Sequence, residues 1–237
     1  LQAVAPAAEL LAGAFSAEAV QRLLDAKRRG RDMPPPVLVS DVAMVRTLAR
    51  DADPRITALG EAFWPGALTL IVTAPSSLRM DLGDRGDTIA VRVPDHDFTR
   101  ELLRATGPLA VSSANVSGED AALSISEAVD QLGDTIAVYL DAGEASGPVP
   151  STIVDLSGDH PRLLRAGRIT IDELNAVVPG LIDDNPSIDQ AEADALAAGE
   201  ASERPDPVEE AAPSHADSEV GPASDRPDPV EPGAGES

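Results

Sequence analysis

Short, nearly continuous apolar runs alternate with longer amphipathic segments along the first 180 residues of this chain. Apolar runs of about four to eight residues between turn residues are typical of buried strands, and apolar residues at every third or fourth position are typical of helices. Some strand-like runs are separated by a helix and others by a short turn. The pattern predicts one α/β domain with a twisted sheet of mixed parallel and antiparallel strands, flanked by helices. Strands are predicted at 36–40, 68–72, 88–93, 109–112, 136–140, 152–156 and 163–164, and helices after Ser16 and at 42–49, 56–63, 97–105, 125–132 and 171–178.

The composition changes abruptly after residue 180. Residues 181–237 contain 16 Asp or Glu and two Arg, a net charge of −14 out of −23 for the whole chain. The hexamer Arg-Pro-Asp-Pro-Val-Glu occurs at 204–209 and again at 226–231. Segments of this kind bury too little apolar surface to offset the entropy that is lost on ordering. We predict a divergent or truncated segment at 1–13, a folded domain at 14–180 and a disordered, acidic, Pro-rich tail at 181–237.

The composition also excludes several kinds of site. The chain has no cysteine, which excludes disulfides, thiolate zinc sites and cysteine nucleophiles. It has only three histidines, which argues against a His-rich metal site. The domain is moderately acidic, which argues against broad binding to nucleic acid but leaves weak RNA binding open. Residues 3–15 are apolar but too short to span a membrane, and no basic segment precedes them. We therefore expect a cytoplasmic protein without membrane contact.

Two polar clusters stand out from this background. Lys27-Arg28-Arg29-Gly30-Arg31 follows the first predicted helix and contains the only lysine of the chain. Ser112-Ser113-Ala114-Asn115 ends a buried strand, which is a common place for ligand contacts in open α/β sheets. Positive charge together with hydroxyl and amide groups suits a polyanionic small molecule such as a nucleotide. The alternative is structural: the first cluster would complement a helix dipole, and the second would satisfy backbone groups at the strand end.

Six short motifs occur in an order that one protein family shares. They are Lys-x-Arg at 27–29, Trp-Pro-Gly-x-Leu-Thr at 64–69, Thr-x-x-x-Arg-x-Pro at 88–94, Ser-x-Asn at 113–115, Pro-Ser-Thr-Ile-Val-Asp at 150–155 and Leu-Arg-Ala-Gly at 164–167. In these motifs, over residues 14–178, the chain resembles the YrdC-like family, the threonylcarbamoyl-AMP synthases of tRNA modification. One tripeptide would be weak support, whereas six ordered matches are specific.

The resemblance implies an enzyme that combines L-threonine, bicarbonate or carbon dioxide, and ATP into threonylcarbamoyl-AMP, with release of pyrophosphate. Mg²⁺ would arrive with ATP, and a separate transferase would then move the threonylcarbamoyl group to an adenosine of tRNA. Such a reaction needs little covalent work from the protein. Holding the reactants together and neutralising phosphate charge would supply the acceleration.

The resemblance also implies roles for individual residues. Lys27 and Arg29 would be catalytic, contacting the phosphates and the carbamate. Arg92 would hold the carboxylate of threonine, for which its planar guanidinium is suited. The nucleotide contacts would come from Arg29, Thr88, Asn115 and Arg165, and the threonine contacts from Ser40, Arg92, Ser113 and Ser151, with no metal ligand from the protein.

The N-terminal segment departs from the family pattern. Family members begin with a strand and a Pro-Thr-(Asp/Glu)-Thr-Val-Tyr-Gly-Leu segment, whereas residues 3–9 here are Ala-Val-Ala-Pro-Ala-Ala-Glu. The segment is truncated, altered by a reading error or diverged, and a missing strand would expose a sheet edge and remove a wall of the site. A second departure is Ala122-Leu123-Ser124, which stands where the family often has Pro-Thr.

Three functions therefore stay open. The first is a threonylcarbamoyl-AMP synthase, which the intact pairs Lys27/Arg29 and Ser113/Asn115 favour. The second is a non-catalytic nucleotide- or RNA-binding module of the same fold, or an inactive fragment, which the altered N-terminal segment favours. The third is a related carbamoyl-transferring domain of the kind found in hydrogenase maturation, and the lack of zinc-finger cysteines argues against it.

Overall fold

A computed structural model describes residues 2–4, 9–51, 53–84, 86–141, 143 and 150–185. The chain divides into two compact units, 1–192 and 193–237, and all described residues belong to the first. Most of the tail that the sequence predicts to be disordered, from residue 186 onward, lies outside the described residues.

The described part of the chain forms ten strands and six helices. The strands are β1 (Gln2–Val4), β2 (Glu9–Gly13), β3 (Val37–Leu38), β4 (Leu68–Thr73), β5 (Thr88–Arg92), β6 (Leu109–Ser113), β7 (Val138–Leu140), β8 (Thr152–Asp155), β9 (Arg162–Arg165) and β10 (Ile182–Asp183). The helices are α1 (Ala17–Ala26), α2 (Val42–Leu48), α3 (Pro54–Phe63), α4 (Asp97–Thr106), α5 (Ile125–Leu132) and α6 (Ile171–Val177), and a 3-10 turn at Gly133–Thr135 follows α5.

All ten strands belong to one sheet, in the order β10-β9-β8-β4-β5-β3-β6-β2-β1-β7. Four neighbouring pairs are parallel (β10 with β9, β8 with β4, β5 with β3, and β1 with β7), and the other five are antiparallel. The predicted class, a mixed sheet flanked by helices, is confirmed.

Side-chain caps fix the starts of the helices. Ser16 accepts a hydrogen bond from a backbone N–H in the first turn of α1, and Asp53 does the same for α3, whose first residue is Pro54. At α6, Thr170 and Glu173 form a reciprocal capping box. Capping residues of these types can be recognised in the sequence. Each predicted helix start therefore lies within two residues of the observed one.

The first face of the sheet is buried under helices. Leu68, Leu70 and Val72 of β4 alternate with side chains that point to the other face, and Val91 and Ala110 continue the same buried surface on β5 and β6. They form one core with buried side chains of α1, α2, α3, α5 and α6. Burial of these aliphatic side chains, at about 25 cal/mol per Å² of apolar surface, is the main source of stability.

The second face of the sheet is divided into an apolar half and a polar half. Helix α4 covers the apolar half, where its Leu103 packs in a small core with four side chains of the sheet: Leu11, Leu38, Leu109 and Val111. The half nearer to β8 instead presents polar side chains to a cavity. The fold therefore leaves an open, polar surface beside a closed, apolar one on the same sheet.

The ends of the domain differ from the sequence expectation. Residues 1–13 are predicted to be a divergent or truncated segment, and in the structure β1 and β2 form there, with β2 paired to β6 along its whole length. The predicted domain ends at residue 180, but β10 extends the sheet by pairing with β9. Both segments are short or rich in alanine, so they carry little of the β-branched signal that marks a strand.

Removing side-chain volume from the centre of the sheet should destabilise the protein strongly. Leu70 is fully buried, so Leu70→Ala should lower the free energy of unfolding by about 2–5 kcal/mol, measured by urea denaturation. Leu123→Ala is the control, because Leu123 is 40% exposed and its truncation should change stability by about 0.5 kcal/mol or less. Equal losses in the two variants would contradict the assignment of Leu70 to the core.

Candidate functional site

A cavity of about 850 Å³ occupies the polar half of the second face. Strands β2, β4, β5, β6 and β8 contribute to its walls, together with the chain that follows α1 and the loop that follows β9. Six of the nine predicted site residues line this cavity, although they are far apart in the sequence. They are Arg29, Thr88, Arg92, Ser113, Ser151 and Arg165.

The end of α1 determines where the basic cluster points. The N–H of Arg28 donates to the carbonyl of Asp25 at 3.0 Å, and the N–H of Arg29 donates to the carbonyl of Leu24 at 2.9 Å. These two bonds form a Schellman motif with Lys27 as the C-cap. Arg28 occupies the left-handed position of this motif, with φ 51°, where glycine is usual. The chain reverses there, and the side chains on either side of Arg28 go to different places.

The side chain of Lys27 points to the end of β6 rather than into the cavity. Its Nζ donates to the backbone carbonyl oxygens of Ser113 (2.7 Å) and Asn115 (2.8 Å) and to Oδ1 of Asn115 (2.7 Å), and it lies 3.3 Å from Oγ of Ser113. Lys27 is only 3% exposed. The ammonium therefore holds the Ser-x-Asn segment in place from behind, at the wall of the cavity.

Asn115 extends this network into the following loop. Its Oδ1 also accepts a 2.6 Å hydrogen bond from Oγ of Ser113, and its Nδ2 donates to the carbonyls of Val116 (3.0 Å) and Glu119 (2.6 Å). These contacts engage both ends of the buried amide. The predicted contact of Asn115 with a nucleotide stays a prediction, and the observed role of the side chain is to shape the loop that begins at Ser113.

Arg92 stands at the end of β5 with part of its guanidinium free for other contacts. Its Nε donates to the carbonyl of Gly66 at 2.9 Å, which fixes the plane of the group. One terminal nitrogen lies 3.7 Å from a carboxylate oxygen of Glu9, and the Arg92 side chain is 26% exposed. A guanidinium held in this way presents planar donors to the cavity, as recognition of a carboxylate or phosphate requires.

Ser151 and Arg165 form a second anchored group on the opposite wall. Arg165 donates from Nε and a terminal nitrogen to the carbonyl of Ser151 (3.0 and 2.9 Å) and to its hydroxyl (2.9 Å). The same hydroxyl lies 2.9 Å from Oγ1 of Thr69. A Cβ on Gly167 would come within 2.5 Å of the carbonyl of Pro150, so this close approach requires glycine.

The cavity is electropositive because Arg29, Arg92 and Arg165 converge on it. Burial lowers the pKa of Arg29 and of Arg165, and the nearby charge of Arg92 lowers the pKa of Arg165 further. Nε of Arg29 is buried and has no hydrogen-bond partner among the described residues. A bound anion would supply the missing acceptors and balance these charges.

The cavity wall is rich in hydrogen-bond donors. Its arginines and hydroxyls suit negatively charged oxygens, and within the described residues no three His, Cys, Asp or Glu side chains are grouped to hold a metal ion. In the same part of the chain, no helix is both long and apolar enough to cross a membrane.

Ser40 does not line the cavity. It is 4% exposed, lies just before α2 and donates a 2.8 Å hydrogen bond to the carboxylate of Asp41, the N-cap of that helix. Its predicted contact with threonine stays a prediction.

Sequence reasoning missed several polar lining residues, among them Glu9, Thr69, Asp95, His96, Thr99 and Arg168. Thr69 carries a usable signal, because it is the single polar residue within the apolar run at 68–72 and therefore faces away from the core. Glu9 carries none, since it lies in the segment that departs from the family pattern.

The family model of the Sua5, YciO and YrdC proteins, which is described as "Telomere recombination", matches residues 8–167. The chain belongs to the Sua5/YciO/YrdC family. The resemblance that the six motifs indicate is therefore confirmed.

Individual relatives carry more specific names. A Mycobacterium tuberculosis (strain H37Rv) protein, provisionally named threonylcarbamoyl-AMP synthase, is 47% identical over 167 residues, which are 70% of this chain and 77% of that protein. The threonylcarbamoyl-AMP synthase of Bacillus subtilis is 34% identical over 183 residues, 76% of this chain and 53% of the relative. The crystal structure of Pyrococcus abyssi Sua5 complexed with L-threonine has a TM-score of 0.72 at 30% identity, covering 77% of this chain and 55% of that one. These findings favour the synthase over the non-catalytic module.

The single lysine allows its charge state to be measured directly. Burial, and to a smaller extent the charge of Arg29, lowers the pKa of Lys27 from 10.5 to about 8. The ammonium should therefore lose its proton, and one of its donors, as the pH rises through 8. In protein labelled with ¹³C at lysine Cε, the single resonance should titrate near pH 8 in the folded state. In concentrated urea it should titrate at about pH 10.4. The Asn115 side-chain amide should shift with the same midpoint, and a folded-state midpoint above pH 10 would contradict the buried network.

The left-handed residue of the Schellman motif predicts a stabilising substitution. Arg28→Gly should raise the free energy of unfolding by about 0.5–1 kcal/mol, because removing Cβ relieves about 1–2 kcal/mol of strain against a smaller entropic cost. Arg22→Gly removes the same charge within α1 and should cost about 1 kcal/mol. Chemical denaturation of the two variants compares them, and a similar loss in both would contradict the conformation of Arg28.

Proposed function

We propose that this chain synthesises threonylcarbamoyl-AMP from L-threonine, bicarbonate or carbon dioxide, and ATP, with release of pyrophosphate. The observation that carries the proposal is the convergence of three arginines with the hydroxyls of Ser113, Ser151 and Thr69 in one cavity. The names of the relatives agree with it. Such a cavity suits two anionic partners at once, a carboxylate and a polyphosphate.

Two bonds form in the proposed reaction. The ammonium group of threonine first gives up a proton to water. The free amine nitrogen then bonds to the carbon of carbon dioxide while one C–O π bond breaks onto oxygen, and loss of a second proton from nitrogen gives the carbamate. An oxygen of the carbamate then bonds to the α-phosphorus of ATP, while the bond from that phosphorus to the oxygen bridging to the β-phosphate breaks. Pyrophosphate leaves with the electron pair of that bond. The protein contributes by aligning the three reactants and by neutralising the charge on the phosphates.

Arg29 and Arg165 are proposed to contact the phosphates. Arg29 lacks an acceptor for its buried Nε, and Arg165 keeps one terminal nitrogen beyond its contacts with Ser151. Arg92 is proposed to hold the carboxylate of threonine, with Ser113 and Ser151 beside it. Thr88, on the floor of the cavity, is proposed to contact the nucleotide.

Lys27 and Asn115 are proposed to act through their hold on Ser113 rather than through substrate. The Lys27 ammonium donates to three oxygens of Ser113 and Asn115, and both ends of the Asn115 amide are engaged. We therefore treat both as positioning residues. Ser40, which bonds to Asp41, is proposed to steady the start of α2 behind the cavity.

The remaining steps involve molecules other than the protein. Mg²⁺ is proposed to enter with ATP, bound to its phosphate oxygens, which are the hard ligands this ion prefers. The mixed anhydride product is proposed to pass to a separate transferase that modifies tRNA in the cytoplasm. Contact with the RNA itself is proposed to be weak, because the chain is acidic overall.

The proposed function is tested by measuring pyrophosphate release from ATP and Mg²⁺ with each of the other substrates omitted in turn. Release should require both L-threonine and bicarbonate, because the carbamate forms before the α-phosphate is attacked. Release without threonine would indicate a simple ATPase. No release by folded protein that still binds ATP would favour the non-catalytic module.

Removing one phosphate-binding arginine should abolish most of this activity. Arg29→Ala should lower kcat/KM by about 100-fold or more, since a charge-stabilising donor in a site contributes on that scale. Thermal unfolding should barely change, because the buried Nε of Arg29 has no hydrogen-bond partner within the described residues to lose. Arg22→Ala, which removes an exposed arginine of α1, is the control and should retain activity within about twofold. Equal activity in both variants would contradict the role of Arg29.

A further inference from the structure

Glu9 places a carboxylate among the arginines of the cavity, which Asp95 also lines. It is the first residue of β2, and the sheet register sets it directly opposite Ser113 of β6. Its side chain is only 15% exposed, and it lines the same cavity as Arg29, Arg92 and Ser151. Burying a carboxylate costs free energy unless cations or hydrogen-bond donors surround it. The Glu9 carboxylate therefore needs a cation or a donor beside it.

Within the described part of the protein, the Glu9 carboxylate has one nearby cation, Arg92, and that contact is loose. The Glu9 carboxylate lies 3.7 Å from a terminal nitrogen of Arg92, which is longer than a hydrogen bond of ordinary length. Burial raises the pKa of Glu9, and the charge of Arg92 only partly opposes the effect. Arg92 is itself directed by its bond to Gly66. The two groups therefore form a loose, opposite-charged pair, and each retains hydrogen-bonding capacity for a ligand.

We infer that Glu9 binds the α-ammonium group of the amino-acid substrate while Arg92 binds its carboxylate. This inference rests on the proposed function and adds to it a residue that selects amino acids over other carboxylic acids. An α-amino acid carries its ammonium and carboxylate groups on the same carbon atom, and the Glu9–Arg92 pair carries the complementary charges at a similar spacing. Each ligand charge would then meet the opposite charge of the protein.

The pair predicts how ligands should be discriminated. Arg92 alone would bind any small carboxylate. With Glu9 beside it, a ligand that lacks the ammonium group leaves the buried carboxylate without its second partner, which a site built for a donor penalises strongly. Glu9 is thus a specificity-determining residue, and Ser113 opposite it would lie against the same end of the substrate.

The test compares two ligands that differ only at the amine, by isothermal titration calorimetry with the full chain. The probes are L-threonine and 2,3-dihydroxybutyrate of matching configuration, in which a hydroxyl replaces the amine. Glu9→Gln should raise the Kd for L-threonine by about tenfold or more, the scale of a hydrogen bond to a charged group, and should lower the Kd for dihydroxybutyrate, because the unpartnered carboxylate is no longer present. Glu61→Gln, an acid-to-amide change on the exposed side of α3, is the control and should change neither.

The remaining outcomes overturn the inference in distinguishable ways. Unchanged or tighter binding of L-threonine to Glu9→Gln would mean that Glu9 merely competes for Arg92. Equal weakening of both ligands would indicate a structural role, because partial unfolding affects both alike. If the unsubstituted protein binds ATP but not L-threonine, the proposed function fails together with the inference, whereas failure in the variant alone leaves the proposed function standing.

Discussion

The ammonium group of Lys27 lies in the interior of the protein, where an isolated charge would cost many kcal/mol. Oxygens of Ser113 and Asn115 surround it at 2.7–3.3 Å and offset that cost with charge-assisted hydrogen bonds. These bonds join the end of α1 to the end of β6, two elements that are 86 residues apart in the chain. Both elements form walls of the cavity, through Arg29 and Ser113. The shape of the site therefore depends on a contact within the protein, between the end of α1 and the end of β6.

The cavity itself is a consequence of strand alternation. Leu68, Leu70 and Val72 of β4 point into the main core, and the residues between them point to the second face. Where α4 covers that face its side chains are apolar, and where the face is open they include Thr69 and Arg92. One sheet can thus supply a stable core and a polar site without placing unpaired polar groups inside the core.

Most of the sheet and much of the site could be predicted from the sequence, because strand periodicity, helix caps and ordered motifs are local signals. Arg29, Arg92 and Ser151 were predicted to act together, and they line one cavity. The direction in which the Lys27 side chain points could not be predicted. A glycine after a helix usually marks a left-handed residue, but here Arg28 adopts that conformation instead. Glu9 could not be predicted either, because its significance comes from Arg92, a residue distant in sequence and adjacent only in the folded sheet.

The Schellman motif at the end of α1 also bears on how this site can change during evolution. Lys27 and Arg29 face different surroundings because a single left-handed residue separates them. Inserting or deleting one residue there would send the wrong cation to each place, although every residue type would still be present. The number of residues in this turn is therefore more constrained than the identity of the residue at its centre. Natural variation should exchange the central residue for those that tolerate the left-handed conformation, such as glycine or asparagine, while length changes are eliminated.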